Sequence, residues 1–458
     1  MNPDIPQSSS SETPNAGISR RRALKMMGIG AGVLVAGGAA GGYGYRRSLR
    51  LSSSEARQVE KAHFLVAGGS IGGLTVAARL LRGVPNAKVT VIEPRSVHHY
   101  QPGYTLVGAG VYKESDVLFD QGSLMQDEMR WVKDYVEAFE PEHNRVVTRG
   151  GERIDYDYLI VGLGVETDWD STEGLSAALE TPYAANIYDL KSSSKYWQLA
   201  KGFEGGDAVF TFPTGYVKCG GAPQKISFLS EDLWRSQGKR DRVNVHFHTP
   251  QAALFPAVPA VNEVVTPMME KRGLNLHYRQ ALRAVDPSTR TAIFEQLDGN
   301  GGSRELRQHY DLLHAMPRFR TPAPLRNGPL TAEGIGGQLE VDRHTLQHKR
   351  FPNVFGVGDC AGTGAAKTAA TIRKQAPVVV QNLFDAALGR SLSGVYDGAS
   401  GCPLLTRYGR CMMFEFDYNG NLVNEWMYQP TKETRRWWQF KVHGLKRMYR
   451  HVMLNGWV

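Results

Sequence analysis

Apolar and polar positions along the chain follow two periods. His63-Phe64-Leu65-Val66-Ala67 is a continuous apolar run of the length of a buried strand. It passes into Gly68-Gly69-Ser70-Ile71-Gly72-Gly73, after which apolar positions from Leu74 to Arg82 recur at helical spacing. Lys88 to Glu93 reads as a second strand, ending on an acid 20 positions after Gly73. Tyr156 to Gly164 and Asn353 to Cys360 each read as a strand entering a glycine turn, the later one closing on Gly358-Asp359. Between them, Asp207–Phe212, Ala222–Gln237 and Val243–Phe247 repeat the strand, helix, strand pattern, and Ser48 to Lys61 reads as a charged linker. Alternating strands and helices predict an α/β protein with parallel sheets.

Composition agrees with a large globular protein. The 458 residues are 41% hydrophobic and 22% charged, and a mean hydropathy of −0.35 excludes a polytopic membrane protein. The 50 glycines carry no collagen period and suit close backbone approach to a ligand. A net charge of +9 is modest for this length and does not call for nucleic acid. Part of it sits near the start, where Ser19-Arg20-Arg21-Arg22-Ala23-Leu24-Lys25 precedes the Gly/Ala-rich stretch Met26 to Gly42. This pattern predicts a twin-arginine export signal, with Ala where Phe is usual, and hence a cofactor loaded before export.

The first unit carries dinucleotide-binding chemistry. Gly68, Gly69, Ser70, Gly72 and Gly73 let the backbone approach a pyrophosphate at a helix N-terminus, and Glu93 is placed to accept from ribose hydroxyls. Ser70 stands where the motif's second glycine belongs. Gly164 ends the middle strand, and Gly358 and Asp359 end the late one. This order of segments points to FAD. In the second unit the turn Pro213 to Pro223 lacks the glycine fingerprint, and the following strand runs into His248-Thr249-Pro250 without an acid or base to read a nicotinamide ribose. NADH is therefore not the expected electron donor. The four cysteines, at 219, 360, 402 and 411, have no CxxC or other metal spacing, so no metal site is read. Cys219, beside Lys218, and Cys402 stand in loop contexts; Cys360 follows the Gly-Asp turn; Cys411 lies in an apolar run.

Several blocks together resemble the sulfide:quinone oxidoreductases, in particular the branch containing the mitochondrial enzyme. They are Tyr100-Gln101-Pro102, Thr105 to Gly110, Phe210 to Pro213, Val217-Lys218-Cys219-Gly220-Gly221-Ala222-Pro223-Gln224-Lys225, Thr345 to His348, Lys367 to Ala370 and Cys402-Pro403-Leu404. The resemblance implies a disulfide-reductase-like flavoprotein with two Rossmann-like dinucleotide-binding domains and a C-terminal membrane-associating region. Its expected parts are a signal and linker (1–50), FAD-binding segments (60–165 and 316–400), a second Rossmann-like domain without NADH fingerprint (166–315) and a quinone and membrane region (401–458).

The resemblance further implies noncovalent FAD and a Cys219–Cys402 redox pair. Hydrosulfide would open the bridge, two electrons would pass through FAD to quinone, and the sulfane sulfur would leave to a thiol, sulfite or polysulfide. Lys367 is expected to stabilise the reduced flavin, since a cation at a helix start otherwise opposes the dipole. Glu166, just after the middle glycine turn, is a candidate for proton handling. In the tail, Trp438, Val442, Leu445, Tyr449 and Val452 recur at helical spacing among Arg435, Arg436, Lys446, Arg447 and Arg450, which reads as an interfacial anchor. The expected location is the periplasmic face of the cytoplasmic membrane, peripherally bound, with a homo-oligomer left open. Rival readings are an exported electron-transfer subunit similar to flavocytochrome c sulfide dehydrogenase, a type II NADH:quinone dehydrogenase and a sulfide-binding redox sensor.

Overall fold

The computed structural model describes residues 51–457 except 216, 299–301, 333, 335, 424 and 426–427; the twin-arginine segment lies outside them. Strand His63–Ala67, buried along its whole length, is central to a five-stranded parallel sheet. Its neighbours are Lys88–Ile92 on one side, followed by Met129–Val132, and Tyr158–Val161 on the other, followed by Val354–Gly356. The late strand thus joins the first unit through Gly356 opposite Val161. Helices Ile71–Gly83 and Ala369–Ala387 pack on one another beside this sheet.

A second parallel sheet has the order Ala184–Ala185, Leu312–Ala315, Gly206–Thr211, Val243–His248, Leu274–His277. Helix Ala222–Ser236 connects its third and fourth strands. In each unit a three-stranded antiparallel ribbon intervenes before the chain returns to the parallel sheet: Val136–Glu140, Arg145–Thr148 and Arg153–Asp155 in the first, Gln280–Asp286, Thr291–Leu297 and Ser303–His309 in the second. The α/β class read from the sequence holds. The last part of the chain forms a small antiparallel sheet, Ser400–Arg407, Arg410–Phe416 and Leu422–Val423, whose apolar face shares the second unit's core through Cys402, Leu404, Met412 and Phe414.

Two local features differ from the sequence pattern. The charged linker contains a helix, Ser53–Val59, because Ser52 and Glu55 form a capping box and Arg390 pairs with Glu55. Asp359 follows the late strand, as expected. It lies in a single 3-10 turn, Gly358–Cys360, and Thr368 caps the following helix by accepting from the Thr371 amide. The tail is helical, with two π turns at Phe440–Gly444 and Tyr449–Met453, but its apolar stripe faces the protein. Trp438, Val442 and Tyr449 are buried, Tyr449 stacks edge-on against Tyr100, and Arg82 lies 3.2 Å over the Trp457 ring. Arg435, Arg436 and Arg447 stay exposed on the other side. Among the described residues no helix is long and apolar enough to cross a membrane.

Buried histidines make this fold acid-sensitive. Burial pulls His98 down to about 4 and His314 to about 3. Below about pH 6.5 the unfolded chain binds the protons first, so each ring removes about 1.4 kcal/mol of stability per pH unit as pH falls toward its folded value. Thermal unfolding should therefore show Tm dropping steadily from pH 6.5 to 4. His314→Phe, which deletes two ring nitrogens buried without partners, should reduce that slope.

Candidate active site

The glycine turn is built by contacts that leave no room for side chains. A Cβ on Gly68, whose φ is +104°, would lie 2.6 Å from the Gly162 carbonyl oxygen, and one on Gly73 would lie 1.8 Å from the Gly68 oxygen. These contacts bring the first strand, its helix and the middle strand end to end. Ser70 caps nothing with its side chain and has extended φ and ψ open to any residue, so its Cβ is accommodated. Glu93 braces the turn: its carboxylate accepts from the Gly69 amide at 3.0 Å and from Arg95 Nε at 2.7 Å. Gly164, at φ +69°, opens onto free space.

A buried relay ties this turn to the tail. Gln121 Nε2 donates to the Gly69 carbonyl at 2.8 Å, Gln121 Oε1 faces His98 Nδ1 at 3.1 Å, and His98 Nε2 faces the Tyr449 hydroxyl at 2.7 Å. The Gln121 carbonyl oxygen requires the proton on His98 Nδ1, which leaves Nε2 to accept from Tyr449. All three side chains are buried.

The late Gly-Asp turn lies beside two lysines. Gln375 Oε1 accepts from the Gly358 amide at 2.8 Å. Burial raises the Asp359 pKa, opposed by the charges of Lys367 and Lys218. Lys367 and Lys218 are each lowered by burial and held up by Asp359. Lys367 Nζ donates to Gln338 Oε1 at 3.1 Å, and its backbone pairs with that of Lys218 in a short parallel bridge. That bridge carries the chain directly into Cys219.

Cys219 has φ +81°, a left-handed conformation that costs a non-glycine residue about 1–3 kcal/mol. Its carbonyl accepts from Ala222 N at 2.8 Å, so the thiol sits at the start of helix Ala222–Ser236. Cys402 reaches the same place from strand Ser400–Arg407: a Cβ on Gly221 would lie 2.8 Å from its sulfur. That strand is fastened to the other helix start, where Thr368 and Thr371 hydroxyls meet Ser400 Oγ at 3.0 and 2.8 Å. Both cysteines are free thiols. Lys225, buried in the helix's first turns, places Nζ 3.8 Å from Cys219 Sγ and also bonds Cys402. Burial alone would lower its pKa, but the charges of Cys219, Cys402 and Cys411 as thiolates more than reverse this. Burial pushes Cys402 up, and Lys225 opposes that rise.

A mitochondrial sulfide:quinone oxidoreductase from Mus musculus is 35% identical over 399 residues, covering 87% of this chain and 88% of its own length. The chain belongs to the sulfide:quinone oxidoreductase family. The mitochondrial sulfide:quinone oxidoreductase of Dictyostelium discoideum is 36% identical over 408 residues, 88% of this chain and 89% of its own. The solved sulfide:quinone oxidoreductase of Aquifex aeolicus shares the fold at a TM-score of 0.72 and 21% identity, over 86% of this chain and 92% of that one. No family model matches the chain.

The cofactor of this sulfide:quinone oxidoreductase family member is FAD. The cradle fits it: a Cβ-free turn at a helix start, an acid at the next strand's end, and open backbone at Gly164. Gly68, Gly69, Ser70, Gly72, Gly73 and Glu93 lie together at the first turn, and Gly358, Asp359 and Lys367 together at the second. Glu166 is placed on a surface strand pair, its carboxylate accepting from Arg320 Nε at 2.7 Å with Arg326 at 3.9 Å. Cys360 and Cys411 are fully buried, as core positions.

The sequence pattern gave no site role to Lys225, Lys441, Gln121 or His98, and placed Tyr449 only in the tail's apolar stripe. For Lys225 a signal existed: a cation in the first turns of a helix is as anomalous there as at Lys367.

Two substitutions test the cradle. Gly73→Ala should yield protein purified without FAD. Tyr449→Phe should leave folded protein whose FAD dissociation constant, read by flavin fluorescence on dilution, rises by about threefold to tenfold, the loss of one buried hydrogen bond.

Proposed function

We propose that this enzyme oxidises sulfide to sulfane sulfur at a Cys219–Cys402 pair and passes the two electrons through FAD to quinone. The observation that carries the reading is the buried Lys225 side chain, its Nζ 3.8 Å from Cys219 Sγ, with the Cys402 sulfur beside the same helix start. In the oxidised state the two sulfurs form a bridge. Hydrosulfide attacks one of them, the S–S bond breaks, and a persulfide stays on one cysteine while the other departs as a thiolate. Lys225, in the helix's first turns, favours that thiolate and lowers the barrier to bridge opening. FAD, when bound, accepts the electron pair and supplies the link to quinone. A thiol, sulfite or polysulfide attacks the persulfide's outer sulfur and carries it away, which returns the cysteine as a thiolate, and the two thiolates re-form the S–S bond as they give up that electron pair.

Lys441 adds a titrating group beside the same sulfurs. It is buried and donates to the Pro102 carbonyl at 2.8 Å. Burial, and then the charge of Lys225, lower it to about 8. It is therefore poised to hold or release a proton near neutral pH. Lys367 is a buried cation beside the Gly-Asp turn, suited to oppose negative charge developing on the cofactor. Export by the twin-arginine route and peripheral attachment at the periplasmic face complete the reading, with exposed Arg435, Arg436 and Arg447 meeting anionic headgroups.

Anaerobic stopped-flow of the flavin absorbance tests the chemistry. Cys219→Ser should bind FAD normally and show no bleaching by sulfide; full bleaching would sink the scheme. Lys225→Met should bleach at least about tenfold more slowly at unchanged FAD content. Reversing Arg435, Arg436 and Arg447 to Glu should weaken sedimentation with anionic vesicles and leave FAD content intact, the opposite split from Tyr449→Phe.

A further inference from the structure

The second parallel sheet carries three histidines that neither the cysteine pair nor the cofactor cradle uses. His246 and His248 stand two residues apart on strand Val243–His248 and so project from one face. Register places His277, on the neighbouring strand, opposite His248. One ring nitrogen from each of the three lies within 4.8 Å of the others.

One ring has its outer nitrogen held by an oxygen, and a second faces a carboxylate at longer range. His248 Nδ1 faces Gln280 Oε1 at 2.7 Å, and Gln280 in turn donates its amide to Gln296 Oε1 at 2.8 Å, which orients the oxygen toward the histidine. The proton of His248 is therefore on Nδ1. Its Nε2 is left as a bare lone pair, buried and without a hydrogen-bond partner in a side chain that is 2% exposed. His246 Nε2 faces Asp207 Oδ1 at 3.6 Å, and its inner Nδ1 lies 3.0 Å from His277 Nε2. This is the arrangement of metal-binding imidazoles, in which the far nitrogen is fixed by a carboxylate or amide oxygen.

We infer that His246, His248 and His277 form a binding site for one borderline divalent transition-metal ion, such as Zn2+. Three imidazoles suit Zn2+, Ni2+ or Cu2+ and give little to Mg2+ or Ca2+, which prefer oxygen. The ion replaces the His246–His277 hydrogen bond and takes up the unpartnered His248 Nε2. His277 shifts its proton to Nδ1, so no proton is released. Its ring now stacks on His248 at 4.2 Å and 13°, and it turns out of that stack to aim Nε2 at the ion. Phe294, stacked on the other face of His248 at 4.0 Å, keeps that ring in place. His246 and His277 are partly exposed, which leaves a path for the ion and a fourth position for water. Asp207 offsets part of the charge.

Chelator-treated, FAD-loaded enzyme in a Cys219→Ser background, which removes thiolate ligation, is titrated with Co2+ and read by visible ligand-field absorption. One saturable equivalent, displaced by Zn2+, is expected. His248→Ala should weaken Co2+ binding at least tenfold with FAD content unchanged. Should that variant fail to fold, the double variant His246→Asn, His277→Asn tests the same site from its exposed side. Gln280→Leu, which frees the His248 tautomer, should weaken binding less. Absence of a saturable equivalent, or binding equally tight in the histidine variants, overturns the site.

Discussion

The close approach of Gly68, Gly73 and Gly162 is the contact on which the rest of the molecule turns. Three secondary-structure ends meet where no Cβ fits, and this meeting forms the cofactor cradle. The middle strand is in register with the late strand Val354–Gly356, so the same convergence sets the height of the Gly358-Asp359 turn. From there the placement passes through the Lys218–Lys367 bridge into the Cys219 loop. A shift of the glycine turn would thus be felt at the sulfur chemistry, although no covalent or direct contact joins the two.

The second organising feature is charge. Lys218, Lys225, Lys367 and Lys441 are gathered around two cysteines and a single carboxylate, Asp359, and burial disfavours all four cations. Lys225 alone has its pKa raised, because the three cysteine sulfurs surround it. Among the charges that shift Lys225 and Lys441 there is no carboxylate, and buried cations of that kind favour an anion beside them. Under the proposed chemistry, hydrosulfide and the thiolate left by bridge opening would both meet that condition. The strained backbone at Cys219 belongs to the same economy, since it turns the thiol toward the helix start.

The glycine turns, the parallel class and the specific Lys-Cys-Gly-Gly-Ala-Pro-Gln-Lys block were legible because each is local: spacing within a few residues carries the geometry. What escaped depends on register or long-range packing. Lys225 was visible as part of a motif, yet its contact with Cys402 requires a strand nearly 200 positions away. The three histidines, two on one strand and one on its neighbour, become a cluster only once His248 is set opposite His277. The Ser52 capping box was readable, but the charges of Ser48 to Lys61 suggested a linker. Glu166 followed a glycine turn and so looked functional, whereas its ion pairs with Arg320 and Arg326 come from a strand that periodicity did not reveal.

The tail shows why amphipathic pattern alone does not name the apolar partner. Its stripe has the spacing of an interfacial helix, but a stripe of that kind is equally satisfied by a protein surface. Here it covers Tyr100 and His98, and its last residues lie on the helix that follows the glycine turn. Arg435, Arg436 and Arg447 stay exposed on the opposite side. The tail thus has two faces with separate tasks, and the hydrogen bonds through Tyr449, His98 and Gln121 make its inner face part of the cofactor site. Any force that pulls the outer face toward lipid acts on a segment whose release would expose buried polar groups at the cofactor turn. Docking of the tail and the shape of the cofactor turn therefore share one element, and the energy of that buried relay opposes loss of either.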